Sequence, residues 1–315
     1  MINRAESVIS SDHVRRDFGR TALPSPYVRR RQLAVEIRKL RESRGLTADG
    51  LARLMFYTRT KVSRLENAQR RPDLTEIMDI LDALDITGSQ YDRICQLARE
   101  AAQKGWWDRY GMTVGPRQKI AADLEYNAAT VRAYDQTAMP GAVQCRPFIE
   151  SLVRLDESQG TLDYEPDRMA EARERRQHEL LRAGGPSYET ILDESVIHRL
   201  AVPAEVMSAQ LRHMVQMVSE IERITVRVLM HDARIPGGFL PKSSFYLYTF
   251  TEPDDQPIAI VDTVTTDLVL TEHGEVTRYA GIYDRLRKAA LSTRDSIAFL
   301  TGVANRLIDQ TGSGT

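Results

Sequence analysis

The segment from Arg38 to Pro72, RKLRESRGLTADGLARLMFYTRTKVSRLENAQRRP, constrains the fold most. It holds two short helical patterns around a tight turn. Thr47 is placed to cap the first, whose inward residues are Leu51, Ala52 and Met55. Thr58 is placed to cap the second, its hydroxyl accepting a free backbone N–H at the helix start. At about 100° per residue from Arg59, Ser63 falls near about 40°, Asn67 about 80°, Thr60 about 100° and Arg64 about 140°. Leu65, Val62 and Glu66 fall near about 240°, 300° and 340°. One arc therefore carries donors and cations, and the other is mostly aliphatic. Such a helix packs on one side and suits a DNA major groove on the other.

Arg41, Gly45-Leu46-Thr47, Leu51-Ala52, Thr58, Val62-Ser63-Arg64-Leu65-Glu66-Asn67 and Arg70-Arg71-Pro72 resemble the helix-turn-helix of Cro and phage-repressor type (XRE-like) regulators. The resemblance covers about residues 30 to 87, with Leu74, Ile77, Met78, Leu81 and Leu84 marking the closing helix. It implies that an arginine of the first helix, Arg41, pairs with Glu66 near the end of the recognition helix. Ala48 stands where the family often has a phosphate-binding glutamine, leaving only a backbone N–H contact there. Phe56 stands where the family favours glycine in the turn, and a bulky residue at positive φ costs on the order of 1 kcal/mol. The competing reading, a generic helical bundle with a solvated basic face, does not account for the order of caps, core and cations.

Charge divides the chain. Of its 315 residues, with a formal net charge of −1, residues 1 to 72 hold 17 Lys+Arg against 7 Asp+Glu, and the rest hold 26 against 37. A basic module on an acidic body suits one domain facing a polyanion; charge alone does not separate DNA from RNA. Cys95 and Cys145 are far apart and in no metal-binding spacing, which favours packing residues in a reduced compartment. No apolar run reaches the ~18 residues needed to span a bilayer. Arg4, Glu6 and Asp12 stand where a signal peptide needs an apolar core. The expectation is a cytoplasmic, nucleoid-associated bacterial protein with no membrane contact.

The expected fold class is α+β: an N-terminal all-α five-helix helix-turn-helix domain, then a mixed helical and antiparallel-sheet domain. Residues 1–24 read as a mobile arm and 25–87 as the helix-turn-helix domain. A connecting helix follows at 88–104, a regulatory and dimerisation domain at 105–310, and a flexible tail at 311–315. Ser25-Pro26 has the form of an N-cap followed by proline at the first helical position, starting a helix that ends at Gly45. Arg29-Arg30-Arg31 read either as phosphate grips or as solvated charge. Trp106-Trp107 read as packing anchors at the joint. The arginines of Glu165 to Ala183 read as a solvated face laced by i,i+4 pairs, and the methionines of Pro203 to Ile221 as core. Tyr188–Leu192, Ile224–Met230, Phe245–Phe250 and Ile258–Leu270 carry strand signals, with breaks at Pro236-Gly237-Gly238 and Pro253-Asp254-Asp255. The last three of these segments read as an antiparallel meander. Helices follow at Glu275–Ala290 and Thr293–Asp309.

The second half resembles a domain of unknown function found behind such modules in high-GC bacteria. Leu124-Glu125 to Tyr134, Pro140-Gly141 to Gln144, Arg173 to Glu179, Leu192-Asp193-Glu194, Thr225 to Leu229, Ser244-Phe245 and Tyr279 to Leu286 carry that resemblance by their order. It implies an antitoxin-like transcriptional regulator, often encoded beside a very small partner protein. No catalytic or metal constellation emerges. His178-Glu179 lacks the second histidine of a zinc helix, and His231-Asp232 lacks further ligands. Asp193-Glu194 and Asp254-Asp255 read as surface or turn pairs. The candidate DNA-binding residues are Arg59, Thr60, Lys61, Ser63, Arg64, Asn67, Arg70 and Arg71, the last three suiting phosphate clamping. Double-stranded DNA, a second copy of the chain, a small partner protein and a small-molecule effector are the partners to weigh. No cofactor is expected.

Overall fold

The computed structural model describes residues 24–312, apart from 112, 161, 163, 239–241, 253, 254 and 264–266. The expected arm, save Pro24, and the tail residues 313–315 lie outside the described residues, as do Pro253 and Asp254.

Five helices form the first unit: α1 (Pro26–Ser43), α2 (Ala48–Leu54), α3 (Arg59–Glu66), α4 (Leu74–Ala83) and α5 (Gly88–Ala101). Three of the caps are those read from the sequence. Ser25, Thr47 and Thr58 accept from the backbone N–H of Val28, Gly50 and Lys61. Leu33, Ile37, Leu51, Val62, Leu65, Ile77, Leu81 and Ile94 share one core. Because Cys95, Ala98 and Ala101 join it, α5 packs as part of this bundle.

The C-termini follow one rule. Helices α1 to α4 each end with a residue at positive φ: Gly45 (68°), Phe56 (54°), Ala68 (55°) and Asp85 (51°). The next N–H then reaches back to a helical carbonyl: Leu46 to Arg41, Tyr57 to Ala52, Gln69 to Arg64 and Ile86 to Leu81, at 2.8–3.1 Å. This is the Schellman arrangement, which satisfies carbonyls left over at a helix end. Only the first uses glycine, so three side chains sit in a disfavoured region. Phe56 is 97% exposed and gains no packing in return.

The second unit is built on a six-stranded mixed sheet of order β3-β2-β1-β4-β5-β6. It begins with a short 3-10 turn (Trp106–Tyr110) and α6 (Pro116–Asn127), and continues through β1 (Thr130–Asp135), a second 3-10 turn (Gly141–Val143), α7 (Arg146–Gln159) and α8 (Pro166–Leu181). Next come β2 (Ser187–Asp193), α9 (Glu194–His198), α10 (Ala204–Glu220), β3 (Ile224–Leu229), β4 (Phe245–Thr249), β5 (Ile258–Val261), β6 (Leu268–Leu270), α11 (His273–Ala289) and α12 (Thr293–Gly312). The α+β class holds, but the expected meander is corrected. β3 pairs in parallel with β2 at the far edge, and β2 pairs in parallel with β1. The antiparallel run is β1-β4-β5-β6. Helical crossovers, not hairpins, join β1 to β2 and β2 to β3, and parallel strands require such connections.

Side chains alternate across the sheet with the period of the pleat. Val131, Tyr188, Val226, Tyr248 and Ile260 face a core shared with α10 and α12, while Tyr134, Ile191, Leu229, Phe245 and Val261 face α11. Met207, Leu211, Met214 and Met217 of α10 share the first core with Leu300, Val303 and Leu307 of α12. The methionines are core residues, as expected. The apolar faces of α10 and α12 are thus buried within one chain and are closed to a second copy.

α1 also reaches into the second unit. Tyr27 and Val28 belong to the core under the sheet. Asp123 of α6 accepts from the Ser25 hydroxyl at 2.6 Å and from the Tyr27 N–H at 3.0 Å. Arg29 pairs with Asp255 at 2.7 Å and Glu100 at 3.0 Å, Arg30 lies 3.8 Å from Asp123, and Arg31 donates to Thr271. The arginine triplet is therefore joint structure, and neither reading made from sequence describes it.

Phe56→Gly should raise stability by about 1 kcal/mol, because it relieves positive-φ strain and loses no packing; urea titrations showing no gain would contradict this. Burial pushes the Asp123 carboxyl up to about 6, despite the bonds from Ser25, Tyr27 and Asn127 and the nearby Arg30. The folded state then holds this proton more readily than the unfolded one, so the stabilisation is full below pH ~4 and is lost as pH rises through ~6. The stability difference between the parent and Asp123→Asn should decline over that window. A flat difference would refute the assignment.

Candidate nucleic-acid interface

The orientation of α3 is set by Glu66 in its last turn. Arg41 donates from Nε and Nη2 to the two Glu66 carboxylate oxygens at 2.7 and 3.0 Å, both side chains being at least nine-tenths buried. The Arg41 Nη1 also reaches the Leu46 carbonyl at 2.7 Å, tying the turn before α2 to the same guanidinium. Hydrogen bonding to Glu66, opposed by burial, holds the Arg41 charge above its ordinary range. Arg38 adds a bond to the Glu66 carbonyl at 2.8 Å. Bidentate pairing of this kind fixes direction as well as distance.

With Val62, Leu65 and Glu66 turned inward, Arg59, Thr60, Ser63, Arg64 and Asn67 are exposed along the opposite side. Arg59 lies 3.6 Å from Asp49 but keeps 74% of its side chain exposed. Among the described residues, no carboxylate pairs with Arg64. Lys61 is set apart: its Nζ sits 3.4 Å from the centre of the Tyr57 ring and 3.7 Å from Glu76. Asn67 caps the helix, donating to the Ser63 carbonyl at 2.8 Å and accepting from Arg38 at 3.2 Å.

Arg70 and Arg71 stand apart from that row. Arg70 donates to Glu76, and Arg71 donates to Asp108 at 2.9 Å. A phosphate would have to displace these carboxylates. Arg38 is a residue missed from sequence: it is half-exposed at the end of α3, on a helix read for its cap, its arginine triplet and Arg41. The Asp108 contact had no sequence signal, since 37 residues separate the partners.

Elsewhere the arginines of α8 are corrected. Arg175 makes the expected i,i+4 pair with Glu179, but Arg176 is buried against Glu125 at 2.5 and 2.6 Å, and Arg173 turns inward to Gln144. Asp255, read as a turn residue, is buried against Arg29 and Gln32. Both cysteines are free and buried, in separate cores. Trp107 is buried and Trp106 stacks edge-on against it. Among the described residues no His, Cys, Asp and Glu cluster has a metal-binding arrangement, and no helix is long and apolar enough to cross a membrane.

Two packed helices joined by a tight turn, the second locked by a buried ion pair, define a helix-turn-helix protein. Residues 32–94 match the family described as a helix-turn-helix domain, and residues 118–302 match the family described as a domain of unknown function (DUF5753). The chain belongs to the DUF5753 family, with a helix-turn-helix domain ahead of it. No curated protein and no solved structure matches the chain.

Glu66→Ala leaves the buried Arg41 charge unpaired and should destabilise the first unit by about 3–5 kcal/mol. A double-mutant cycle with Arg41→Met should return most of that loss as coupling; additive effects would show that the pair does not hold α3.

Proposed function

We propose that the protein is a sequence-specific transcriptional regulator that binds double-stranded DNA in the cytoplasm. Its recognition helix is α3, with Arg59, Thr60, Ser63 and Arg64 reading base edges. The carrying observation is the exposed donor row on α3, held in place by Arg41 and Glu66 on its inner side. Arg59 and Arg64 suit the O6 and N7 acceptors of guanine, and the hydroxyls suit base edges or phosphate. Asn67 and Arg38 at the end of α3 suit phosphate. Lys61, Arg70 and Arg71 reach phosphate only by giving up Tyr57, Glu76 or Asp108.

One recognition helix covers too few base pairs to select one genomic site. Two copies reading half-sites about 10–10.5 base pairs apart, or a multiple of that, resolve this. The protein therefore acts as a homodimer on a pseudo-palindromic operator. The acidic second unit carries the contact between copies, through a surface other than the buried faces of α10 and α12.

Operators selected from random DNA supply the test. On such a site, Arg59→Ala or Arg64→Ala should weaken binding by about 1–3 kcal/mol while barely changing binding to unrelated DNA. Light scattering of the complex should give two chains per operator. Both variants binding like the parent would overturn the assignment of α3, and one chain per operator would overturn the dimer.

A further inference from the structure

Between α6, α8 and β4 the second unit holds a cavity of about 650 Å³, within the ~300–1,000 Å³ range of small-molecule sites. Its walls mix aliphatic residues with Trp106, Tyr246 and Tyr248, and its charged groups are unequal in their pairing. Glu125 neutralises Arg176 with two hydrogen bonds. Arg117 pairs with Asp267 and lies 3.8 Å from Asp262, and Asp156 accepts from the Tyr164 hydroxyl. Arg173, one turn before Arg176, has no carboxylate within ion-pair distance among the described residues. Its one described hydrogen bond goes to neutral Gln144 at 3.2 Å. Asp156 acts on Arg173 only from a distance, and a half-buried guanidinium that borders a cavity with no carboxylate in contact gains by accepting an anion from outside.

We propose that this cavity binds a small organic acid, its carboxylate paired with Arg173 and its apolar body against the aromatic wall, and that the bound acid alters DNA affinity. The regulatory half rests on the DNA-binding reading above; the binding half does not. Two connections lead from the cavity wall to the first unit. Trp106, whose indole N–H has no partner among the described residues, begins the 3-10 turn in which Asp108 holds Arg71, just past the recognition helix. α6, which lines the cavity through Arg117 and Ala121, also carries Asp123, the acceptor for Ser25 and Tyr27 at the start of α1. An occupant that shifts either wall changes the setting of Arg71 or of α1.

The test uses the full chain and three probes with one body: 4-phenylbutyrate, 4-phenylbutanol and 4-phenylbutylamine. In calorimetry without DNA, the acid should bind at least about tenfold more tightly than the alcohol or the amine. Arg173→Gln should reduce acid binding to the level of the alcohol while leaving the alcohol unchanged. Ala121→Phe, which fills space without removing a polar group, should abolish binding of the acid. If Arg173→Gln fails to fold, the probe series and Ala121→Phe decide. The site is overturned if the alcohol or amine binds as well as the acid, if Arg173→Gln or Ala121→Phe binds the acid like the parent, or if no acid binding is seen up to about 10 mM. On a selected operator, saturating acid should change DNA affinity by about fivefold or more, and Asp108→Ala should reduce that change while acid binding persists. Unchanged DNA affinity in the acid-saturated parent would overturn the regulatory half. A chain that binds no DNA would instead overturn the functional reading, with calorimetry still deciding the site.

Discussion

The contact between Arg41 and Glu66 is the constraint on which the first unit depends. α3 has only 8 residues, too short for intrinsic helix stability to orient it. Its position comes from Val62 and Leu65 in the core and from two parallel hydrogen bonds that fix its last turn against α1. The same guanidinium holds the Leu46 carbonyl, so α1, the chain entering α2 and the end of α3 meet at one charge. Removing either partner buries an orphan ion, so the penalty for losing one side exceeds the net worth of the pair.

A second dependence runs through α1. Its C-terminal half packs in the helical bundle, and its first turn is tied to Asp123 and to the core beneath the sheet. The arginine triplet bridges to Asp123 and Asp255 of the second unit, while Glu100 of α5 holds Arg29 from within the bundle. The basic module and the acidic body are thus joined by side chains of opposite sign, in keeping with the division of charge along the chain. A change in α6 has a direct route to the helix that carries Arg41.

What was legible in sequence was local. Thr47, Thr58 and Ser25 were readable as caps because a cap is a contact over three residues. The inward and outward faces of α3 followed from helical spacing alone, and Arg41 with Glu66 from a family resemblance. Phe56 was visible as a departure from glycine, whereas Ala68 carries no signal for positive φ; Asp85 is of a type that tolerates the left-handed region, but its residue type alone does not mark a helix end. β1 was missed because Arg132 and Asp135 interrupt its apolar pattern. β3 was assigned to the wrong neighbours because strands adjacent in sequence usually pair, and here α10 and the sheet core carry it to the opposite edge. The carboxylates that hold Arg71, Arg29 and Arg176 are brought in by tertiary folding, and Glu76 reaches Arg70 across the turn into α4, which is why the sequence reading gave these arginines to phosphate, to solvent or to partners on their own helix.

The central claim is that the row Arg59, Thr60, Ser63, Arg64 faces base edges. Replacing single operator guanines with 7-deazaguanine removes one acceptor from the major groove and leaves pairing intact. Combined with Arg59→Ala and Arg64→Ala, it yields a coupling energy for each arginine and each guanine. The account predicts coupling of about 1–3 kcal/mol between at least one of these arginines and one guanine per half-site. No coupling at any guanine for either arginine would contradict it.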